Sequence, residues 1–308
     1  MNTESSRVLL SAQTEYRGRV TNPERWPTWQ PRCGDVIVCT PMKCGTTWTQ
    51  TIIAMLLAGS SELPDSIPVL SPWIDSRLGV AEEVRCRLLA QSGRRVVKTH
   101  TPANGFPVWE GVTVIAVYRH PLDVFLSSLD HAANRHENAD PRMLGPVADA
   151  LRGYLNASLN TDAWDNNTLA TLVEHFRQTV MCGRLTDFAL FHYADLSQDH
   201  RGSVRRLAEA IGVAVTDMDI DHIVAATKLT AMRTEPEKFV PEAGKGFWVN
   251  DRAFFGTGGI HKWIGRFLKE DIDLYKKRVA ELVPEPASRD WLENGDINRP
   301  GIAGGSNS

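Results

Sequence analysis

The chain contains four short apolar runs that have the character of buried strands. They are rich in β-branched residues, have few polar positions, and cover residues 35–40, 95–99, 112–118 and 187–193. Continuous runs of this kind are typical of parallel strands covered on both faces, whereas half-exposed strands alternate apolar and polar residues. We therefore predict a central parallel sheet built from these four segments.

Amphipathic stretches lie between and after the strand-like runs. Apolar residues recur at helical spacing from Thr46 to Gly59, and helices are also expected near residues 121–135, 168–182, 200–212, 217–228 and 270–283. Gly59 suits the position just past a helix end, and Pro121 suits a first helical turn. The alternation of strands and helices predicts an α/β fold in which helices flank the parallel sheet.

The predicted domain lies between two less regular ends. Residues 1–30 are polar and contain several prolines, so we expect an irregular lead-in on the surface. A single domain is predicted over residues 31–295, and the Gly- and Ser-rich residues 296–308 are expected to form a disordered tail. Residues 60–75 and 241–260 have the composition of long loops, which often carry function in compact domains.

Composition and charge exclude several classes of function. The 308 residues include 34 basic and 37 acidic side chains, a formal net charge of −3, and 42% hydrophobic residues. This balance is that of a globular protein and excludes a polybasic nucleic-acid coat, so we expect no nucleic-acid partner. The N-terminus has no signal-peptide pattern, and the strongest apolar run, residues 52–58, is too short to span a bilayer. We expect no membrane anchor.

Cysteine and histidine usage argues against a metal site. The five cysteines are odd in number and never form a Cys-x-x-Cys pair, which supports neither a disulfide framework nor a zinc ribbon. The nine histidines show no metal-ligand spacing on a helix. A reducing compartment fits this cysteine usage, and we predict a cytoplasmic location.

The strongest local signal is the segment Pro-Met-Lys-Cys-Gly-Thr-Thr-Trp at residues 41–48, between a predicted strand and a predicted helix. Backbone N–H groups of such a turn and the helix N-terminus form an anion-binding site. The nucleoside-triphosphate loop GxxxxGK[ST] has its lysine after the last glycine, whereas Lys43 precedes Gly45. No Walker-B carboxylate is evident either. A tight turn with a solvated lysine is the alternative.

The segment from Lys43 to Trp48 closely resembles the 5′-phosphosulfate loop of the cytosolic-type sulfotransferases, which usually reads Pro-Lys-Ser-Gly-Thr-Thr-Trp; Cys44 replaces the serine. The resemblance implies a bacterial member of this family with a P-loop-like nucleotide-binding architecture. It implies 3′-phosphoadenosine 5′-phosphosulfate (PAPS) as donor and adenosine 3′,5′-bisphosphate (PAP) as product, with no metal required. The implied donor-binding residues of the loop are Lys43, Cys44, Gly45, Thr46, Thr47 and Trp48, the tryptophan stacking on adenine.

Lys98 and His100 end the second predicted strand and, because strand side chains alternate, project to the same side of the sheet. The carboxyl edge of a parallel sheet is where α/β proteins bind ligands, and the ordinary pKa of histidine suits proton abstraction. A structural histidine is the alternative. Lys-Thr-His-x-Pro is similar to the family segment that carries the catalytic base. The resemblance implies that His100 deprotonates the acceptor and that Lys98 steadies the sulfuryl oxygens, while Lys43 is the candidate to stabilise the leaving group.

The third predicted strand ends at Arg119, and the helix that follows carries Ser127. A guanidinium donates two hydrogen bonds from a planar fork and is well matched to a terminal phosphate, to which a hydroxyl donates a third. This segment is similar to the 3′-phosphate site of the family. A helix start with a solvent-facing arginine is the alternative.

Two segments are similar to the adenine end of the family site. Tyr193 falls where the family has a contact to the donor nucleotide; an ordinary strand-end tyrosine is the alternative. Residues 227–232 fall where the family has a Thr-Ser-Phe-Lys-x-Met segment beside adenine, which implies contacts from Thr227, Leu229 and Met232. Because Leu229 replaces the phenylalanine, we expect Trp48 to be the main aromatic platform.

The glycine-rich residues 256–259 depart from the family pattern. Aligned on Trp263, Gly256 and Thr257 stand where the family has an arginine and a lysine on the 3′-phosphate. Backbone N–H groups of Gly256, Thr257 and Gly258 can still donate to a phosphate. The candidates for the missing cation are Lys245, Arg252 and Lys262. A surface loop that closes only with ligand is the alternative.

Together these features predict a sulfotransferase that moves the sulfuryl group of PAPS to a hydroxyl of a small acceptor, a phenol or an alcohol, by in-line transfer. A small-molecule kinase and a catalytically silent nucleotide-binding protein are the alternatives. Loops at residues 60–75, 134–146 and 241–256 shape the acceptor site, and their aromatic residues hint at an apolar acceptor. The identity of the acceptor and the oligomeric state, a homodimer included, stay open.

Overall fold

Strands and helices alternate along the chain. The computed structural model describes residues 5–137 and 140–296. Its strands are β1 (Val8–Leu10), β2 (Val36–Cys39), β3 (Val96–Thr99), β4 (Val108–Trp109), β5 (Thr113–Tyr118) and β6 (Phe188–His192). Its α-helices are α1 (Thr46–Ala58), α2 (Ile67–Leu70), α3 (Ala81–Ala90), α4 (Pro121–Ala133), α5 (Val147–Asn156), α6 (Leu169–Phe176), α7 (Tyr193–Gln198), α8 (His200–Ala210), α9 (Asp217–Ala226), α10 (Leu229–Thr234), α11 (Pro236–Phe239), α12 (Lys269–Leu282) and α13 (Pro286–Asn294). Short 3-10 helices lie at Pro23–Thr28, Ala103–Gly105, Pro141–Met143, Thr161–Ala163 and Asp251–Phe255, and a π-helical turn, Arg177–Met181, continues α6.

Four strands form the central sheet in the order β3, β2, β5, β6, and all neighbours run parallel. The prediction of an α/β fold around a parallel sheet is confirmed. Val36 of β2 pairs with Val96 of β3 on one side and with Thr113 of β5 on the other. The strand order therefore reverses at β2, which opens a crevice at its carboxyl end.

The two faces of the sheet are buried in separate apolar clusters. Val36 and Val38 of β2 pack in one cluster with Ile52 of α1. Ile37 and Cys39, which point the other way, belong to a second cluster that includes Trp26, Trp29, Phe106 and Trp109. Complete burial of a Val or Ile side chain stabilises a fold by about 1.5–3 kcal/mol. Packing on both faces thus fixes the position of the carboxyl end of β2.

The ends of the chain join the same fold as far as the structure describes them. In the segment expected to be an irregular lead-in, β1 pairs with β4, and Trp26 and Trp29 are buried. Of the expected disordered tail, residues 297–308 lie outside the described residues, and the Asp296 N–H donates a hydrogen bond to the Asp195 carboxylate. Among residues 5–137 and 140–296, no helix combines the length and the apolarity needed to cross a bilayer.

Candidate active site

The loop between β2 and α1 turns sharply at the carboxyl end of the sheet. Lys43 and Gly45 both adopt left-handed backbone conformations, with φ of 65° and 94°. A Cβ at Gly45 would lie 2.9 Å from Cδ2 of Tyr193, so the position requires glycine both for its conformation and for the close approach. No side chain caps the N-terminus of α1. Its first N–H groups are therefore available to an anion.

Of the other loop residues, some are buried in the core and some are partly exposed to solvent. Cys44 is buried in an apolar cluster that raises the pKa of its thiol to about 12, so it offers the site its backbone only. The hydroxyls of Thr40 and Thr46 are hydrogen-bonded to each other at 2.6 Å. Thr47 and Trp48 are partly exposed. The loop thus presents backbone N–H groups, Lys43 and two outward-facing side chains.

Lys43 is the cation at the centre of the site. Its ammonium donates a hydrogen bond to Nδ1 of His131 on α4 at 2.9 Å and lies 5.3 Å from the centre of the Phe254 ring. Burial, and secondly the positive charge of Arg119, lower the pKa of Lys43 to about 7, although Asp130 opposes the shift. Lys43 therefore changes its charge near neutral pH. Its side chain is partly buried and hydrogen-bonded rather than freely solvated.

His100 is held as a neutral imidazole. Its Nδ1 lies 2.8 Å from the carbonyl oxygen of Thr40, and because a carbonyl only accepts, Nδ1 carries the proton and Nε2 has a free lone pair. Burial, together with the positive charge of Lys98, lowers the pKa of His100 to about 3. The indole N–H of Trp164 donates to the His100 carbonyl at 2.8 Å. This geometry leaves Nε2 able to accept a proton.

Lys98 and His100 are brought together around Trp73. The Lys98 ammonium lies 5.1 Å from the centre of the Trp73 ring, and the His100 ring meets the edge of the same indole at 4.8 Å. Burial lowers the pKa of Lys98 to about 8, against the opposing charge of Asp75. Asp75 is itself fully buried and accepts hydrogen bonds from the hydroxyls of Thr99 and Thr101.

A cleft opens beside His100. It has room for little more than one water molecule, about 10 Å³, and is lined by Pro41, Met42, His100, Trp164, Asp165, Asn167, Thr171, Leu172 and His175. The lining combines apolar side chains with a carboxylate, a carboxamide and a hydroxyl. His100 and the first residues of the loop that carries Lys43 thus border the same cleft.

Arg119 lies at the end of β5 and is 5% exposed, so the alternative of a solvent-facing arginine is wrong. Its guanidinium donates to the carbonyl oxygens of Gly259 at 2.9 Å and Lys43 at 3.4 Å, and stacks 4.3 Å from the centre of the Tyr193 ring. Its Nε is buried with no hydrogen-bond partner. Ser127 is partly buried on α4 and lies four residues before His131, on the same face of the helix.

The residues predicted for the adenine end gather around Trp48. The Trp48 ring lies 5.7 Å from Tyr193 and 5.0 Å from His200, and the Thr227 hydroxyl is 3.0 Å from Nε2 of His200. Leu229 contacts the glycine-rich loop, where a Cβ at Gly258 would lie 2.7 Å from Leu229 Cδ2. Met232 is the exception in this group: it is 1% exposed and packs in the core.

The glycine-rich loop is docked against β5 and α4. Gly256, Gly258 and Gly259 have φ values of 55°, 67° and 82°, which favour glycine. Arg119 binds the Gly259 carbonyl, and the His261 N–H donates to the Asp123 carboxylate at 2.8 Å. Thr257 is exposed. This loop is thus in contact with Arg119 of the candidate site.

Several site residues were not predicted from the sequence. They are Asp75, His131, Trp164 and His200, of which the last three contact predicted residues and Asp75 accepts hydrogen bonds from Thr99 and Thr101. Trp73, which contacts His100, belongs to the loop aromatics expected near an apolar acceptor. A helical periodicity argument could have found His131, since it follows Ser127 by one turn. Within the part of the chain that the structure describes, no group of three or more His, Cys, Asp or Glu side chains could hold a metal ion.

Comparison with known proteins identifies the family. A family model described as a sulfotransferase domain matches residues 34–285. Glycolipid sulfotransferases of Mycobacterium bovis and Mycobacterium tuberculosis are each 30% identical, over 93% of this chain and 96% of theirs. Sulfotransferase 2A1 of Mus musculus is 21% identical over 80% of this chain and 83% of its own.

Solved structures share the fold. Retinol dehydratase in complex with androsterone and the inactive cofactor PAP has a TM-score of 0.67 at 18% identity, over 85% of this chain and 84% of that one. Mouse sulfotransferase SULT7A1 complexed with PAP has a TM-score of 0.66 at 16% identity, over 89% and 94%. The family model covers most of the chain, and the resemblance seen at residues 43–48 is confirmed. The chain belongs to the sulfotransferase domain family and is a sulfotransferase.

Proposed function

We propose that this sulfotransferase uses PAPS as donor, releases PAP, and transfers the sulfuryl group to an acceptor hydroxyl with His100 as the general base. The observation that carries the proposal is the hydrogen bond from His100 Nδ1 to the Thr40 carbonyl, which leaves the Nε2 lone pair free in a residue that lines the cleft. Thr40 also begins the loop that holds Lys43, so the base and the phosphate loop share one backbone anchor.

The chemistry requires three groups of this chain to act at the same time. His100 Nε2 accepts the acceptor proton while the acceptor oxygen forms its bond to sulfur. Lys43 donates a hydrogen bond to the bridging oxygen as the bond from sulfur to that oxygen breaks and negative charge builds on the departing phosphate. Lys98 contacts the sulfuryl oxygens. The anionic donor also raises the pKa of His100 from its low donor-free value, so the imidazole becomes a stronger base once the donor is bound.

We infer an alcohol hydroxyl on a glycolipid as the acceptor. Asp165, Asn167 and Thr171 line the cleft beside the apolar Met42 and Leu172, but their polar groups are already hydrogen-bonded within the protein, to Thr21, Ser128 and the Asn166 carbonyl. The choice of acceptor class therefore rests on the relatives. The mycobacterial relatives are named glycolipid sulfotransferases, which supports the same class of acceptor.

The test is a panel of acceptors with PAPS that carries radiolabelled sulfur. Phenols, sterols, free sugars and glycolipids are incubated with the purified chain, and labelled products are separated by chromatography. We expect label on a sugar-bearing acceptor, and no product with Lys43→Met. Absence of transfer to every acceptor, together with absence of PAP binding in calorimetry, would overturn the proposal. ATP with Mg²⁺ is the control for the kinase alternative and should phosphorylate none of the acceptors.

A further inference from the structure

Three basic residues were candidates for the missing phosphate cation, and they differ in their surroundings. The side chain of Lys245 is 68% exposed and pairs with Glu242 at the surface. Arg252 is also exposed. The side chain of Lys262, by contrast, is only 13% exposed, and its ammonium lies 3.3 Å from Oδ2 of Asp130 on α4. Of the three, Lys262 is the one that points into the site.

The Lys262 ammonium and position 256 lie against the same carboxylate. A Cβ added at Gly256 would lie 3.8 Å from Oδ2 of Asp130, the same oxygen that the Lys262 ammonium contacts at 3.3 Å. Lys262 therefore brings a positive charge into the neighbourhood of position 256 from six residues further along the loop. The charge of Lys262 also contributes to lowering the pKa of Lys43, which shows that the two ammonium groups share one electrostatic environment.

Neighbouring groups indicate a phosphate ligand at this position. Arg119 is 5% exposed, and its Nε has no hydrogen-bond partner, while its other N–H groups bind neutral carbonyl oxygens. A doubly charged phosphate is a stronger partner for a guanidinium than a carbonyl is. Ser127 lies one turn before Asp130 on the same face of α4. Arg119 thus binds the glycine-rich loop three residues before Lys262, and Lys262 lies against the face of α4 that carries Ser127.

We propose that Lys262 binds the 3′-phosphate of the donor together with Arg119, and that Asp130 holds the Lys262 ammonium until the donor arrives. The inference rests on the proposed function, because the 3′-phosphate is the terminal phosphate monoester of PAPS. No covalent bond changes in this step. The Lys262 ammonium gives up its contact with the Asp130 carboxylate and binds the more highly charged phosphate oxygens instead. Lys262 then replaces the cation that Gly256 and Thr257 do not provide.

The experiment compares two nucleotides that differ only in the 3′-phosphate. Isothermal titration calorimetry measures the binding of PAP and of adenosine 5′-monophosphate to the full chain and to Lys262→Met. We expect the variant to bind PAP about 10- to 100-fold more weakly, the loss typical of a charge-assisted hydrogen bond. Its affinity for the monophosphate should stay within about twofold of that of the unaltered chain.

Matched variants make the outcome specific. Lys245→Met removes a lysine from the same loop and should leave the affinity for PAP unchanged. Asp130→Asn removes the carboxylate that holds the Lys262 ammonium, so this variant should bind PAP a few-fold more tightly. Partial unfolding of the variant would weaken binding and could not cause this gain. If Lys262→Met binds PAP as the unaltered chain does, or loses affinity for both nucleotides equally, the assignment of Lys262 is wrong. If the unaltered chain shows no preference for PAP over the monophosphate, the proposed function itself fails, and the assignment fails with it.

Discussion

The chemistry of the site depends on side chains whose protonation is set by their immediate neighbours. His100 is neutral because burial and Lys98 disfavour its cation, and its tautomer is fixed by the Thr40 carbonyl. Lys43 is poised between charged and neutral forms, since burial and Arg119 lower its pKa to about 7. The His100 imidazole and the Lys43 ammonium therefore each give one prediction about the effect of a single ionisable side chain.

Removal of the base should slow transfer without loss of the donor. His100→Ala is expected to lower kcat by about 10²- to 10⁴-fold, the contribution typical of a general base. Binding of PAP should change little, because His100 lines the cleft on the acceptor side of the loop. Single-turnover rates and calorimetry measure the two effects separately. His222→Ala, on the exposed side of α9, is the control; near-normal turnover of His100→Ala would mean that another group takes the proton.

Binding of the donor should weaken in alkaline solution. Lys43 is a cation below the pH of its donor-free pKa, about 7, and is neutral above it. An anionic nucleotide prefers the cation, so each pH unit above that value should lower the affinity for PAP by up to about tenfold. Calorimetry between pH 6 and pH 8 measures the slope. Lys43→Met should bind weakly throughout and lose the slope; a slope that persists would belong to another group.

Among the structural elements, the start of α1 tolerates the least change of residue, because position 45 requires glycine. Gly45 is left-handed and touches Tyr193, whereas Gly59, at the other end of the helix, is left-handed with nothing within 4 Å. Alanine at either position should lower the free energy of unfolding by about 1–2 kcal/mol because of its backbone conformation. Only Gly45→Ala displaces the ring on which Arg119 stacks, so only this variant should also lose affinity for PAP. Urea unfolding and calorimetry distinguish the two; equal PAP affinity in both variants would contradict the prediction.

The segment that pairs with β3 carries a buried acid. The N–H of Ile74 donates to the Lys98 carbonyl, and Asp75, beside it, has a carboxyl pKa raised to about 6 by burial, with Oδ1 unpartnered. Because its pKa in the folded chain exceeds the ordinary value of 3.8, the fold favours the protonated acid. The contribution of this group to stability is therefore present below about pH 4 and lost as the pH rises through 6, a change of up to about 3 kcal/mol.

Asp75→Asn should remove this pH dependence. The amide keeps an oxygen for the hydroxyls of Thr99 and Thr101 and carries no charge to bury. We expect the variant to be more stable than the unaltered chain at pH 8, and the difference between the two to disappear at pH 4. Urea unfolding at both values measures it. A variant that is less stable at pH 8 would show that the charge of Asp75, through Lys98, stabilises the fold.

Over the whole molecule, the sequence predicts those elements and site residues that have a pattern within one short segment, such as an apolar run or a motif. The central strands β2 and β5 are buried along their whole length, and the edge strands β3 and β6 are buried or partly buried, so all four have clear apolar runs. Helix α3 has a single buried residue, Leu88, and so has little amphipathic pattern, while β1 is an exposed apolar run of only three residues, Val8–Leu10, too short to identify as a strand. Residues 43–48, Lys98 with His100, and Arg119 lie in short motifs that the sequence displays directly.

The contacts between these motifs could not be predicted, because they join distant parts of the chain. Lys43 and His131 are 88 residues apart, Trp164 and His100 are 64 apart, and Lys262 and Asp130 are 132 apart. No periodicity in one segment encodes such a pairing. Three cations were therefore equally plausible replacements at the glycine-rich loop until the fold brought one of them to Asp130.

The internal partners of the site cations bear on the catalytic cycle. Lys43 has His131, Arg119 has two backbone carbonyls, and Lys262 has Asp130 when no nucleotide is present. The affinity for a nucleotide therefore depends on the difference in free energy between the contacts these cations make with the nucleotide and those they make within the protein. When the used nucleotide departs, the protein regains its own set, which offsets part of the free energy lost. For the proposed donor site, this exchange of contacts predicts that release of the used nucleotide costs less free energy than the contacts to the nucleotide alone would suggest.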